Sequence, residues 1–194
     1  MSLAAPERRE LLRLARKSID ASVAAGASAG PAPFPALSLR PDLTVRRSSF
    51  VTLRHGEELR GCCGTLDAPR PLAEDVWRNA WAAAFSDHRF PTLTAAEWPQ
   101  LSLHLSLLTP PERLDVTTES QLLAMLRPSV DGLILEAETG RATFLPAVWE
   151  QLPDPAQFVR QLKMKAGWPA GYWSDRVRVS RYTTESFGEE SLEA

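Results

Sequence analysis

The 194-residue chain is poor in cysteine and has no long apolar run, and each shortage excludes a class of protein. Its two cysteines, Cys62 and Cys63, are adjacent, so a bridge between them would close almost no loop and a disulfide-stabilised fold is excluded. No apolar stretch approaches the roughly 20 residues that cross a bilayer, so no membrane contact is expected. Residues 1–10 carry both charge signs, unlike a secretory signal, and unbridged thiols favour a reducing, cytoplasmic setting.

A surplus of positive charge is also missing. Lys and Arg total 22 against 24 Asp and Glu, a formal net charge of −2, whereas a broadly basic chain is typical of nucleic-acid binders. A nucleic-acid partner is therefore not expected. The P-loop, the GxSxG elbow, the dinucleotide-binding GxGxxG turn and the HExxH motif are absent as well. The three histidines lie far apart in sequence and there is no CxxC pair, so we expect neither a metal site nor a cofactor.

The patterns that are present predict an α+β fold with antiparallel or mixed sheets and packed helices. Apolar residues at three- and four-residue spacing predict helices, and alternation around glycine turns predicts strands and two hairpins. The predicted helices are 6–23, 71–85, 118–126 and 155–167; the hairpins are 49–66 and 132–145; single strands are 101–107 and 176–182. Residues 26–36 read as a loop or linker, and 188–194 as an acidic, disordered tail.

The segment with the most candidate functional residues is LRGCCGT at residues 59–65. In a regular strand, side chains alternate between two faces. Leu59 then marks a core face with Gly61, Cys63 and Thr65, and the other face carries Arg60, Cys62 and Gly64. A guanidinium beside a thiol favours the nucleophilic thiolate, which makes Cys62 a candidate nucleophile. The alternative is structural, because free cysteine is a common small buried residue.

A second cluster, SDHRFP at residues 86–91, follows the tryptophan-rich helix. In the functional interpretation Asp87 is an acceptor or base, His88 carries a proton, and Arg89 binds an anion. In the structural interpretation Asp87 and Arg89 only tie down the loop at the end of the helix.

The C-terminal third is locally basic. Arg176, Arg178 and Ser180 are predicted to share one strand face, opposite Val177 and Val179. That face either binds an anionic partner or is an ordinary solvated surface.

The signature LRGCCGT resembles the LRGCIGT signature of the AMMECR domain family. Six further blocks continue the resemblance in order: AFSDHRFP (84–91), LHLSLLT (103–109), VDGLIL (130–135), RATFLP (141–146), KAG (165–167) and SRY (180–182). On these blocks the chain is identified as a member of the family. The resemblance implies one α+β domain over residues 1–194, built from a larger and a smaller subdomain packed together.

The resemblance also implies partners and a site. In many prokaryotes the family stands beside a Memo-like protein and a radical SAM protein, which makes both expected partners. The suspected site carries over to Arg60, Gly61, Cys62, Gly64 and Thr65, with Asp87, Arg89 and Phe90 beside it. Two departures matter: Cys63 replaces the usual isoleucine, and Asp131 stands where many members carry histidine, which puts any role of that histidine in doubt here.

Two hypotheses follow. In the first, a cleft between the subdomains presents Cys62 as a thiolate tuned by Arg60, with Asp87 and Arg89 orienting a small polar or anionic ligand. In the second, the chain is a non-catalytic protein-binding module or scaffold, since no complete catalytic triad, metal site or cofactor loop is visible.

Overall fold

The computed structural model describes residues 2–25 and 30–190, which contain five α-helices and eight β-strands. The helices are α1 (Ala5–Ala25), α2 (Pro41–Thr44), α3 (Leu72–Phe85), α4 (Glu119–Met125) and α5 (Pro155–Lys165). The strands are β1 (Ser49–His55), β2 (Glu58–Gly64), β3 (Ser102–Leu108), β4 (Glu112–Leu114), β5 (Gly132–Ala137), β6 (Gly140–Phe144), β7 (Arg178–Tyr182) and β8 (Thr184–Gly188). Short 3-10 helices cover Trp98–Gln100 and Pro146–Glu150.

The chain divides into two units, each built on one four-stranded sheet. The first unit holds the residues up to Leu108 and those from Glu185 onward, and its strand order is β2-β1-β3-β8. The second unit is Thr109–Thr184, and its order is β4-β7-β5-β6. The second unit is therefore inserted between β3 and β8, two neighbouring strands of the first sheet.

The core of the first unit lies between α1, α3 and one face of its sheet. Leu72, Val76 and Ala80 repeat every four residues along α3 and are fully buried. They pack with Val51 and Leu53, the alternate residues of β1 that face the helix. We call this side of the first sheet the core face and the opposite side the outer face.

The core of the second unit forms where α4 and α5 cover its sheet. Asp154 caps α5 by accepting a hydrogen bond from the Gln157 N–H, and Pro155 occupies the first turn. On the buried side of α5, Phe158 stacks on Trp149 with ring centroids 3.8 Å apart. The apolar residues whose spacing predicts this helix therefore also form the core of the second unit.

The α+β prediction is confirmed, with both sheets antiparallel. Both hairpins are present, and α2, β4 and β8 are additions that the sequence patterns did not indicate. The predicted tail begins too early: Gly188 ends β8, and the Glu189 carboxylate accepts hydrogen bonds from Arg16. Residues 191–194 and 26–29 lie outside the described residues; 30–36 contain neither helix nor strand.

Candidate functional site

All of the LRGCCGT segment except Thr65 lies in β2, an edge strand of the first sheet, and its alternation is interrupted by a bulge. Leu53 pairs with Gly61 and Arg54 with Leu59, so Arg60 is an extra residue between two pairs. Leu59 consequently lies opposite Arg54 on the outer face and is 40% exposed. Its predicted place on the core face is wrong, because the bulge reverses the alternation.

Beyond the bulge the predicted faces hold. Gly61 and Cys63 lie opposite Leu53 and Val51 and therefore face the core. A Cβ on Gly61 would be 2.1 Å from the carbonyl oxygen of Ala83, so only glycine lets α3 approach β2 this closely. Gly61 thus has a packing role.

The thiol of Cys63 packs against the core of the first unit. Burial raises its pKa to about 11, and the negative charge of Asp87 acts in the same direction. The neutral thiol is therefore the form present near pH 7, as in a packing residue.

Cys62 has the opposite orientation. It pairs with Thr52, one of the partly exposed outer-face residues of β1, and is itself partly exposed. The Thr52 hydroxyl donates to its sulfur, with Oγ1 and Sγ 3.4 Å apart. Two adjacent residues of one strand thus present one thiol to the core and one to the outer face.

The Arg60 side chain turns toward the segment after α3. Its guanidinium forms a two-pronged ion pair with Glu97 and donates to the Pro91 carbonyl oxygen at 2.8 Å. The hydrogen bond from Arg60 lowers the pKa of Glu97. Arg60 is itself the bulged residue, so the regular alternation that predicts one face for Arg60 and Cys62 does not apply to it.

Asp87 and Arg89 bind the free edge of β2 at Cys62. Asp87 Oδ2 accepts the Cys62 N–H at 2.9 Å, and the Arg89 guanidinium binds both carboxylate oxygens of Asp87. Chiefly because of the hydrogen bonds from Arg89, the pKa of Asp87 falls to about 2. Asp87 is therefore an ionised acceptor and a weak base, and this contact agrees with the structural interpretation of the SDHRFP cluster.

Phe90 lies beside both arginines of this edge. The guanidinium carbons of Arg60 and Arg89 are 5.8 and 5.4 Å from its ring centroid. Residues 86–97 are thus attached to β2 at Arg60, through its ion pair with Glu97, and at Cys62, whose N–H donates to Asp87.

The end of β2 is held by a buried carboxylate that the sequence analysis missed. Asp75 Oδ2 accepts hydrogen bonds from Thr65 Oγ1 at 2.7 Å, from the Ser49 N–H and hydroxyl, and from Asn79 Nδ2. Asp75 is fully buried on the apolar side of α3, four residues before Asn79. A polar pair at that spacing within an apolar stripe is the signal that could have found it.

Gly64, the remaining glycine of the signature, supports an aromatic ring. A Cβ there would lie 2.3–2.6 Å from ring atoms of Phe50, its partner across the hairpin. Thr65 and Gly64 therefore have structural contacts of their own, whatever else they touch.

The later blocks of the family pattern meet inside the second unit. The Tyr182 ring leaves no room for a Cβ on Gly132, and the Tyr182 hydroxyl contacts Thr143 Oγ1 at 2.7 Å. Burial raises the pKa of Tyr182. Asp131, at the position where many members carry histidine, is fully buried and accepts four hydrogen bonds from Arg127.

The basic C-terminal third is neutralised by acidic neighbours. Val179 is buried and Arg178 exposed, as the alternation predicts. Arg178 pairs with Glu136, and Arg176 pairs with Glu138. These ion pairs favour the interpretation of an ordinary solvated face.

Across residues 2–25 and 30–190, no three His, Cys, Asp or Glu side chains converge in a way that could hold a metal ion. Nor does any helix in the described part of the chain have the length and apolarity to span a bilayer.

Fold and sequence together define a protein of two α+β units with a cysteine-containing edge strand. The AMMECR1 family model matches residues 12–187, and the chain belongs to that family. A protein of Methanothermobacter thermautotrophicus is 32% identical over 97% of both chains, and protein MJ0810 of Methanocaldococcus jannaschii is 34% identical over 74% of both. The crystal structure of the uncharacterized protein PH0010 from Pyrococcus horikoshii superposes with a TM-score of 0.84 at 29% identity, covering 95% of this chain and 92% of that one.

Proposed function

We propose that the chain is a small-molecule-binding component of a multi-protein system, and that its ligand contacts the outer face of the first sheet at Cys62. The observation that carries this proposal is the opposite orientation of the two adjacent thiols. Both cysteines are partly exposed. Cys62 lies on the outer face beside a hydroxyl group, whereas Cys63 packs against the core and has a raised pKa. A partly exposed thiol is available to a ligand as a contact or as a nucleophile.

The contacts of the other candidate residues support positioning roles around that thiol. Asp87 and Arg89 hold the backbone of Cys62 from the free edge, and Arg60 holds residues 91 and 97. Gly61, Gly64, Thr65 and Phe90 complete the local packing. The ligand is small and polar, and the expected partners, a Memo-like and a radical SAM protein, rest on the family resemblance.

The test is alkylation of the native protein with iodoacetamide, read separately for each cysteine by peptide mass spectrometry. Cys62 should react in the folded protein, while Cys63 should react only after unfolding or at strongly alkaline pH. The Cys63→Val variant should leave the native reaction unchanged, and Cys62→Ser should abolish it. If Cys62 stays unmodified until the protein unfolds, it is a packing residue and the proposal fails.

A second candidate function, a non-catalytic protein-binding module, is favoured by one observation. The groups named as catalytic helpers are committed to structure: Arg60 to Glu97 and Pro91, Asp87 to Arg89 and the Cys62 N–H. A defined pull-down with purified Memo-like and radical SAM partners tests it. Capture that persists in Cys62→Ser supports the module, and absence of capture at micromolar concentrations excludes it for these partners.

A further inference from the structure

The Cys62 sulfur has a polar neighbour that the signature does not include. We propose that Thr52, directly across the hairpin, is a positioning residue whose hydroxyl orients the Cys62 sulfur and sets its reactivity. This inference rests on the proposed function, because it concerns the same thiol.

The position of Thr52 makes its hydroxyl a fixed donor. Strand β1 lies between β2 and β3, and Thr52 is paired with Cys62 on one side and His104 on the other. A β-branched side chain on a central strand has few rotamers available, so the 3.4 Å contact between Oγ1 and Sγ is held by the sheet itself.

The charged groups near Cys62 form their side-chain hydrogen bonds with other atoms than its sulfur, although Arg89 interacts electrostatically with Cys62 and its guanidinium donates to the Cys62 carbonyl oxygen at 3.5 Å. The Arg60 guanidinium is bound to Glu97, and Asp87 accepts the backbone N–H of Cys62 rather than contacting its sulfur. Arg89 is engaged by both oxygens of Asp87. Among these groups, none has a hydrogen bond to Sγ in the structure.

His104, the other outer-face neighbour of Thr52, lies in the opposite direction. A Cβ placed on Gly188 would be 2.5 Å from His104 Nδ1, so the imidazole lies over β8. This orientation argues against a proton relay from Cys62 through Thr52 to His104. The hydroxyl of Thr52 acts as a hydrogen-bond donor.

A donor of this kind affects the two forms of sulfur unequally. A hydrogen bond to an anionic acceptor is roughly twice as strong as one to a neutral acceptor, so the hydroxyl favours thiolate over thiol. The reaction with iodoacetamide follows the thiolate, whose electron pair forms the C–S bond as iodide leaves. Loss of the hydroxyl should therefore slow alkylation at a given pH.

The test compares Thr52→Val with Thr52→Ser. Valine keeps the branched shape and lacks the hydroxyl, whereas serine keeps the hydroxyl. At pH 7 we expect iodoacetamide to modify Cys62 in Thr52→Val on the order of fivefold more slowly than in the wild type, with the pH–rate profile displaced to higher pH. Thr52→Ser should stay within about twofold of the wild type. Thr52→Ala is a second hydroxyl-free variant and should match valine.

The outcomes separate this inference from the proposed function. If wild-type Cys62 reacts and the profiles of Thr52→Val and Thr52→Ala coincide with it, the role of Thr52 is refuted while the proposed function stands. If wild-type Cys62 does not react in the native state, the proposed function fails first. The extent of Cys63 alkylation is the control for loosened packing. A merely structural defect would increase the alkylation of Cys63 without moving the pH–rate profile of Cys62.

Discussion

The two units are built with the same devices and differ in what they leave accessible. Each has an edge-strand glycine that would clash with a helix-end carbonyl oxygen if it carried a Cβ: Gly61 against Ala83 at 2.1 Å, and Gly140 against Ala166 at 2.2 Å. Each also has a charged side chain on the backbone of an edge strand. Asp87 accepts the Cys62 N–H, and Lys165 donates to the Thr143 carbonyl oxygen.

The difference lies in the reactive groups. In the second unit the Tyr182 ring is 2% exposed, and its hydroxyl is bound to Thr143 and to the Phe144 carbonyl oxygen. In the first unit the Cys62 thiol and the Thr52 hydroxyl are partly exposed. The same kinds of contact therefore have different results in the two units. In the second unit they build a core, and in the first they build a core and leave the Cys62 thiol on the outer face of the sheet.

The largest expected effect comes from substitutions that break the glycine–carbonyl contact. Gly61→Ala should lower the free energy of unfolding by about 3 kcal/mol, because β2 must move away from α3. Gly140→Ala should cost less, about 1–2 kcal/mol, since Ala166 is the residue after α5 and yields more easily. Urea denaturation measures both. Gly171→Ala is the control, with nothing within 4 Å of its Cβ position; equal losses in all three variants would contradict the argument.

The next effect compares the fully buried aspartates of the two units. Asp75→Ala should cost about 2–3 kcal/mol, because it removes the acceptor of the buried N–H and hydroxyl of Ser49 and of the Thr65 hydroxyl. Asp131→Ala should cost less, because the side chain of its partner Arg127 is 52% exposed and can be hydrated. Denaturation curves of the two variants test this ranking, and a larger loss of unfolding free energy in Asp131→Ala than in Asp75→Ala would contradict it.

A smaller effect depends on pH. The folded-state pKa of Asp87 is about 2, below its ordinary value, so its stabilising contribution is present above about pH 4 and is lost as pH falls toward 2. Because Arg89 is 58% exposed, we expect roughly 1 kcal/mol from this source. The stability of Asp87→Asn should fall less steeply than that of the wild type between pH 4 and pH 2. Parallel stability–pH curves for the two proteins would show that the ionised Asp87 carboxylate contributes nothing to stability.

The smallest effect concerns the exposed ion pairs of the second unit. Arg176→Gln should change the free energy of unfolding by no more than about 0.5 kcal/mol, because its pair with Glu138 is 69% and 75% exposed. Thermal unfolding at low and high salt measures it. A loss above 1 kcal/mol would show that this surface contributes more than its exposure indicates.

Sequence patterns predicted the helices, the hairpins and the opposed cysteines because periodicity and turn glycines are local signals. They missed the bulge at Arg60, since an extra residue in a strand depends on the pairing of β1 with β2. They also missed β8, where Phe187 is the single large apolar residue and the pairing partner lies far along the chain in β3. They gave no sign of the ion pair between Arg60 and Glu97 either, because 37 residues separate these two side chains in the sequence.

The insertion of the second unit between β3 and β8 has a consequence for synthesis on the ribosome. The first sheet gains its fourth strand only after all of Thr109–Thr184 has been translated. Until then β3 has an unpaired edge, which is a site for association with other chains. The second unit, contiguous in sequence, can fold before the first is complete. Its early folding brings Thr109 and Thr183 together through backbone and side-chain hydrogen bonds. Because β3 ends just before Thr109 and β8 begins just after Thr183, this contact places β8 beside β3 and shortens the time for which the edge of β3 stays unpaired.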